Sequence, residues 1–496
     1  MVVADLSAAN YGIVALCIGT ALVFSWFASG VYYAFIHPLS KVPGPKLYAF
    51  TQLPYVYHIV RGDWHKMLQS LHDHYGPVVR VTYNDVSFVT EDAIKTIYGH
   101  KSNSTGTFEK DMNFYFKREH ANIINGNNEE HRRMRRLLSH VFSEKALRNQ
   151  EDIINSYVGL FIRNLKERSR QGLVIDIVRW FNFATFDLIG DLAFGQPLGC
   201  LESGGYHPWV AMIFSGVKVT PLREIMIRLG LEAVVPYLVP ARLKRSEQEH
   251  SKLSQETAMK RLESNNTTRE DFMSYILRYN DKNGMSAPEI AENANTLIIA
   301  GSETTATLLS GATFHLLTNP TKYKMLVDEI RSTFQSMEEI TMDRVNQLPY
   351  LIAVLNEALR MYPPLPSHLP RITPPQGEFV NGYWLPAKTT VSFSHWSAYR
   401  STLNFQEPDV FAPERWLGDA KYKSENKNVL QPFSYGPRNC IGKNLAYAEM
   451  RMLLTHLLWN FDVELLPGQG DWDQQKVYVI WEKPDLKVKL TEVKRL

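Results

Sequence analysis

The sequence predicts a mainly α protein with a small β-rich part, and three observations carry that prediction. The first is a run over residues 287–318 that no proline interrupts beyond its first turn; as one helix it would span about 48 Å. The second is a pair of further helical runs, HRRMRRLLSHVF at 131–142 and the stretch after Cys440, where Ala446, Met450, Leu453 and Leu457 recur at spacings of four, three and four. The third is that strand-like stretches are few and short: VVRVTY (78–83) and SFVT (87–90), around the turn residues Asn84 and Asp85.

Length and composition bound the rest. At 496 residues a length prior suggests about three domains, but no linker supports such a split. The chain is 45% hydrophobic and 21% charged, ample for a large core, and its net charge of +3 is too small to argue for nucleic acid. Cys17, Cys200 and Cys440 are widely spaced, so they build neither a disulfide framework nor a four-cysteine metal site, and they suit a reducing, cytosol-facing enzyme.

The N-terminus departs from this average. Tyr11 to Ile36 is 26 residues without a charge, and a bilayer needs about 20. A cleaved signal peptide would want a basic n-region and a shorter apolar core, whereas only Asp5 precedes this run. Lys41 and Lys46 follow it, so the body should face the cytoplasm, and the sequons at Asn103, Asn265 and Asn266 read as chance matches. HPLSKVPGPKL (37–47) carries three prolines and a glycine that resist helix, which predicts a stiff hinge.

Further along, residues 101–128 are a polar loop interrupted by Phe108, Phe114, Tyr115 and Phe116, a cluster that either packs on the core or lines a binding site. The run 131–142 is strongly basic; its bland reading is a solvated cationic face, although His131 and Arg135 share one side at i and i+4. Residues 150–282 read as further helices without motif chemistry. Ser286 opens the long run with a capping box, S-A-P-E, closed by Glu289. Midway lies AGSETT (300–305), where Gly301 weakens the helix and Thr304 can turn its hydroxyl onto the backbone, so a bulge or kink is expected. EALR sets Glu357 and Arg360 at i and i+3, ordinarily a weak surface pair.

Cys440 stands in FSYGPRNCIG (433–442), directly ahead of the last helical run. A thiol at a helix N-terminus with Arg438 nearby is expected to have its pKa lowered toward the metal-ligating thiolate. Gly436 and Gly442 let the backbone pass a flat ligand. An isolated cysteine before a helix is equally what a buried structural thiol looks like.

The spacing of Phe433, Gly436, Arg438, Cys440 and Gly442 resembles, position for position, the haem-binding loop of the cytochrome P-450 superfamily of haem-thiolate monooxygenases. That resemblance, joined in order by AGSETT, EALR and PERW (413–416), implies a cytochrome P-450 fold with an N-terminal transmembrane helix. Residues 1–36 would be the anchor, 37–47 the hinge and 48–496 the catalytic domain. It implies haem b between the helix of Thr304 and the loop of Cys440, with Cys440 the axial ligand, Ala300 and Phe433 against the cofactor, and His131, Arg135, Arg371 and Arg438 on its propionates. Family members mostly carry Trp where His131 stands. Glu303 and Thr304 would be the acid and alcohol that deliver protons to bound dioxygen, and Glu357, Arg360 and Arg415 a buried structural network. Residues 366–369 should line the pocket, with Trp472 and Tyr478 at its far edge, and 203–245, with Pro221, Pro236 and Pro240, should cover the substrate entrance.

The chain leaves no room for a flavin domain and has no G-x-G-x-x-G after a strand. The resemblance therefore implies electrons from NADPH through a separate NADPH-cytochrome P-450 reductase, with cytochrome b5 as a further donor. Docking would use Arg132, Arg133, Arg136 and Lys443. HPLSKVPGPKL, FNFATFDLIGDLAFG, SHWSAYRS and CIGKNLAYAEMR are similar to microsomal fungal enzymes of secondary metabolism, of the isotrichodermin C-15 hydroxylase kind. This implies an endoplasmic-reticulum enzyme inserting oxygen from O2, by hydroxylation or epoxidation, into a hydrophobic terpenoid or polyketide intermediate. Three other readings stay open: oxidative coupling or desaturation on the same fold, a thiolate-haem isomerase or dehydratase, and a non-enzymatic haem or ligand-binding protein. The Glu303–Thr304 pair speaks against the isomerase, which has no use for a proton relay.

Overall fold

The computed structural model describes residues 2–101, 106–210, 219–234, 237, 240–264 and 269–494. The sequons at Asn103, Asn265 and Asn266, and Pro236 of the expected entrance cover, lie outside the described residues. Helices make up most of the chain, with small sheets at its margin, as the apolar periodicities require.

The N-terminal helix Val2–Val31 and the π turn Tyr32–Ile36 carry Tyr11–Ile36, 26 residues of mean hydropathy 1.9 with exposed apolar side chains, long and apolar enough to cross a membrane. The segment 37–47, expected to be a stiff hinge, is pinned to its neighbours. Pro38 opens a 3-10 turn, Pro45 precedes the short helix Lys46–Phe50, and Leu39 and Val42 are buried between them. Backbone N–H of Arg80 donates to the Pro43 carbonyl at 2.7 Å, and its guanidinium donates to the carbonyls of Tyr33, Thr82 and Tyr83.

Five short strands form the main sheet in the order Val78–Arg80, Asp85–Phe88, Thr390–Phe393, Arg371–Ile372, Glu109–Lys110. The first ends three residues sooner than the sequence suggests, and the second begins two residues sooner. Thr82 accepts backbone N–H bonds from Asn84 and Asp85, so the turn falls at 81–84 and Asp85 joins the second strand. At the far edge the antiparallel register sets Lys110 directly opposite Arg371. Like charges facing each other across a ladder are destabilising unless an anion lies between them.

The long helix runs Ala287–Leu317, opened by the predicted capping box: the Ser286 N–H donates to Glu289 Oε2 at 2.8 Å. No bulge interrupts it. Gly301 serves close packing instead, since a Cβ there would sit 2.7 Å from Ile189 of the almost wholly buried helix Ile177–Phe194. The helix Val219–Arg228, in the stretch expected to cover the entrance, is tied to the sheet by charge: Arg228 contacts Asp85 at 2.6 Å and Glu224 at 2.8 Å, and the Tyr55 hydroxyl donates to Glu224.

Behind the cysteine loop the EALR and PERW segments meet. Glu357, Arg360 and Arg415 are fully buried. Glu357 accepts from Arg360 at 2.8 and 3.0 Å, from Arg415 at 3.1 Å, from the Ala412 N–H at 2.8 Å and from the Trp416 indole at 3.0 Å. Arg360 spends its remaining donors on the carbonyls of Tyr399, Pro408 and Val410, and Arg415 pairs with Glu425. Burial pushes the Glu357 carboxyl up, but Arg360, the Ala412 N–H and Arg415 outweigh it and hold it below the usual range.

Candidate active site

A cavity of about 280 Å³ lies between the long helix and the loop 433–442. Cys440 opens onto it, as do Ala300, Gly301, Thr304, Thr305, His131, Arg135, Arg371, Phe433, Arg438 and Gly442. Two expected site residues do not reach it. Gly436 lies beyond its wall at φ +72, where a Cβ would collide with the Tyr98 carbonyl at 2.0 Å, so this glycine lets the loop pack on the end of a neighbouring helix. Glu303 faces the other side of the long helix, ion-paired to Lys483, while Lys483 donates to the Thr307 hydroxyl at 2.6 Å.

The loop is fixed before any ligand arrives. The Cys440 N–H donates to the Phe433 carbonyl at 2.8 Å, and Arg135 donates to both the carbonyl and side-chain oxygens of Asn439, the latter at 2.5 Å. Burial pushes the Cys440 thiol up rather than down; the Gly442 N–H, Arg135 and Lys443 only partly oppose it. Arg438 is not among those opposing groups, because it points to Gly126 and Asn128. An iron ion in the cavity would deprotonate the thiol outright, which the isolated loop does not.

One wall is cationic. Lys110, Arg135, Arg371 and Arg438 converge there with His131, and among the described residues no carboxylate lies within ion-pair distance of any of the four cations. Arg371 donates to the Tyr115 hydroxyl at 3.2 Å, and Lys110 stands over the Tyr115 ring at 4.3 Å and donates to the Ile124 carbonyl. Arg438 leaves Nη1 buried without a partner. Burial and the neighbouring Arg371 and Arg438 push the Lys110 ammonium well below its usual range. Burial, with Arg438 and Lys110 next, lowers His131 to about 3, so it stands neutral. Unpaired cations at this depth fit a dianionic ligand, and haem, with two propionates and an iron that takes a thiolate, matches both the wall and Cys440.

Sequence reasoning did not single out Lys110 or Lys483. Both are brought in by long-range pairing. The aromatic cluster of 101–128 divides: Phe108 joins the core, Tyr115 lines the cavity, Phe114 packs against His368, and Phe116 meets Arg223. Of residues 366–369, Leu369 lines the cavity, whereas Ser367 and His368 border a separate small cleft with Tyr478. Trp472 packs in the core on Phe314 and Tyr362. Of the basic residues assigned to docking, Arg133 is engaged elsewhere, bonded to Glu289 and the Gly284 carbonyl at the start of the long helix; Arg132 and Lys443 are exposed, and the exposed Arg136 lies 3.5 Å from Asp281.

The cytochrome P450 family model matches residues 42–490. A cytochrome P450 monooxygenase of Talaromyces wortmannii is 44% identical over 485 residues, 97% of this chain and 96% of its own length. One from Aspergillus oryzae is 45% identical over 479 residues, 96% and 98% of the two chains, and one from Purpureocillium lilacinum 42% over 500 residues, 99% and 96%. With the fold, the cavity and these relatives in agreement, the chain belongs to the cytochrome P450 family of haem-dependent monooxygenases.

Proposed function

We infer that this monooxygenase is anchored by Tyr11–Ile36 in the endoplasmic-reticulum membrane, with its catalytic domain in the cytoplasm, and oxidises a hydrophobic secondary-metabolite intermediate of terpenoid or polyketide type. The observation that carries the reading is one cavity shared by a thiol, an alcohol and a cationic wall, whose remaining surface is mainly apolar, with Ile123, Leu297, Ala300, Leu365 and Leu369 beside the rings of Phe142 and Phe272. Such a lining binds by apolar burial, at about 25 cal/mol per Å², and offers few polar groups to read a hydrophilic substrate. The relatives' fungal origin supports the substrate class.

Haem held by the Cys440 thiolate would supply dioxygen activation, the thiolate favouring O–O cleavage. Lys110, Arg135, Arg371 and Arg438 would hold its propionates. The chain's own residues handle protons. Thr304 keeps its hydroxyl at the cavity wall by donating to the Ala300 carbonyl at 2.6 Å, where it can instead give a proton to cavity water. Glu303 is the acid behind it, reached when its carboxylate leaves Lys483. Electrons come from NADPH through a separate reductase docking near Arg132 and Lys443.

The test is product mass. Membranes carrying the protein and a reductase are given the precursor that accumulates when the gene is deleted from its source. A gain of one oxygen atom supports the reading, and a loss of two hydrogens would make the enzyme a coupling or desaturating one.

A further inference from the structure

Lys110 owes its place to a strand of two residues, Glu109–Lys110, at the edge of the main sheet, with Arg371 directly opposite it. So short a ladder, with like charges facing across it, does not hold its own register. Successive side chains of extended backbone point to opposite faces, and the next residue, Asp111, does not line the cavity. Asp111 is 2% exposed. It caps the turn Met112–Tyr115 by accepting the Asn113 N–H at 2.9 Å, and it accepts the Thr390 hydroxyl at 3.0 Å.

The cation that faces Asp111 is Arg228. Its Nη2 lies 4.0 Å from Asp111 Oδ2 and has no hydrogen-bond partner among the described residues, while its Nη1 and Nε are held by Asp85 and Glu224. Three carboxylates thus share one buried guanidinium. Burial pushes the Asp111 carboxyl up, and Arg228 is the largest group opposing that push. A second contact joins the same two segments: Arg223 stands over the Phe116 ring at 4.5 Å, and Phe116 is held at φ +54, which a bulky residue rarely adopts.

Residues 110–116 therefore have two faces. Lys110 and Tyr115 reach the cavity, whereas Asp111 and Phe116 meet the helix Val219–Arg228, none of whose described residues lines the cavity. Without Arg228, Asp111 would be left buried near Asp85 with no cation within ion-pair distance among the described residues. Such a carboxylate moves or takes up a proton, and Lys110, its neighbour in the chain, moves with it. We propose that Arg228 is a positioning residue of the cationic wall: it holds Asp111, and through Asp111 it sets Lys110 for a haem propionate, although it touches neither the cavity nor the ligand. The helix Val219–Arg228 and the grip on haem then form one unit, and displacing that helix from the sheet loosens the grip. The proposal rests on reading the wall as the propionate site, and its test separates the two.

Haem-loaded protein is mixed with excess apomyoglobin, and haem transfer is followed by absorption. The variants are Lys110→Met, Arg228→Met, Asp111→Asn and the double variant Lys110→Met with Arg228→Met. Arg261→Met, which breaks a buried pair with Asp271 away from the cavity, controls for lost stability. Transfer should speed several-fold in Arg228→Met and Asp111→Asn, and more in Lys110→Met. The double variant should lose haem no faster than Lys110→Met, because both substitutions then remove the same contact. Arg261→Met should transfer haem at the wild-type rate. Multiplied effects in the double variant, wild-type transfer in a folded Arg228→Met, or an equal acceleration in Arg261→Met would overturn the proposal. Should Arg228→Met fail to fold, Asp111→Asn carries the same cycle with Lys110→Met, since it removes a buried charge rather than stranding three. Wild-type transfer in Lys110→Met would overturn the propionate reading of the wall, and the proposal with it.

Discussion

Two buried clusters of charge flank the cysteine loop, and they are built on opposite plans. In the Glu357–Arg360–Arg415 network nearly every donor and acceptor is matched, and no residue of it touches the cavity. In the wall formed by Lys110, Arg135, Arg371 and Arg438 the cations face one another across a cavity, and among the described residues their hydrogen-bond partners are carbonyls, two side-chain amides and a phenol. The first cluster is complete as it stands, so its work is to hold the frame. The second is incomplete, and what would complete it is an anion that the protein itself does not supply. Satisfaction of buried charge thus separates scaffold from site.

The contrast breaks most sharply at Glu357. Glu357→Ala leaves two guanidinium groups buried without their shared carboxylate, and the expected loss is about 3–5 kcal/mol of stability, read as a fall in denaturation midpoint or as failure to accumulate folded protein. In the unfinished cluster the sign differs. Lys110→Met removes one of two like charges set opposite each other in the sheet, so the haem-free protein should be as stable as the wild type or slightly more so. Haem affinity should fall about 10- to 100-fold, the equivalent of one charge-assisted bond of about 1.5–3 kcal/mol. Equal loss of folding and haem would show that the wall is scaffold after all.

Smaller effects come from buried histidines that stand outside both clusters. Burial lowers His65 and His315 to about 3, with Lys66 and Arg400 adding to it respectively. Their folded pKa values lie below the unfolded value of about 6.5, so the unfolded chain binds more protons in between. Stability is full above about pH 6.5 and falls as pH drops from there toward 3, by up to about 1.4 kcal/mol per unit for each group. Urea midpoints measured from pH 7 to 5 should show this slope, and His315→Phe should reduce it. Smallest for the fold is Thr304→Ala: unchanged denaturation midpoint and haem content, but NADPH use diverted into peroxide. Unchanged coupling would count against Thr304 as proton carrier.

What the sequence made legible was local. The capping box at Ser286, the placement of Glu357 and Arg360, and the glycine-rich turn around Cys440 are fixed within a few residues, and spacing alone reads them. Pairings between distant segments were not readable. Lys110 reaches the site because a two-residue strand takes a register opposite Arg371, and Lys483 reaches Glu303 from the C-terminal region. Arg133 looks like a docking cation in sequence, yet it closes a bond to Glu289 that only the packing of two helices creates. Gly301 shows the same limit: its type announces an exception, but only Ile189 tells whether the exception is a kink or a close contact.

Cys440 shares its cavity with the cationic wall and would be the thiolate ligand of a haem held there. The most direct measurement is the absorption spectrum of the reduced carbon monoxide complex of wild type and Cys440→Ser, purified in parallel. The wild type should show the thiolate-type band, and the serine variant should lose it while keeping its fold. A serine variant that retained the band would contradict the ligand assignment and the mechanism built on it.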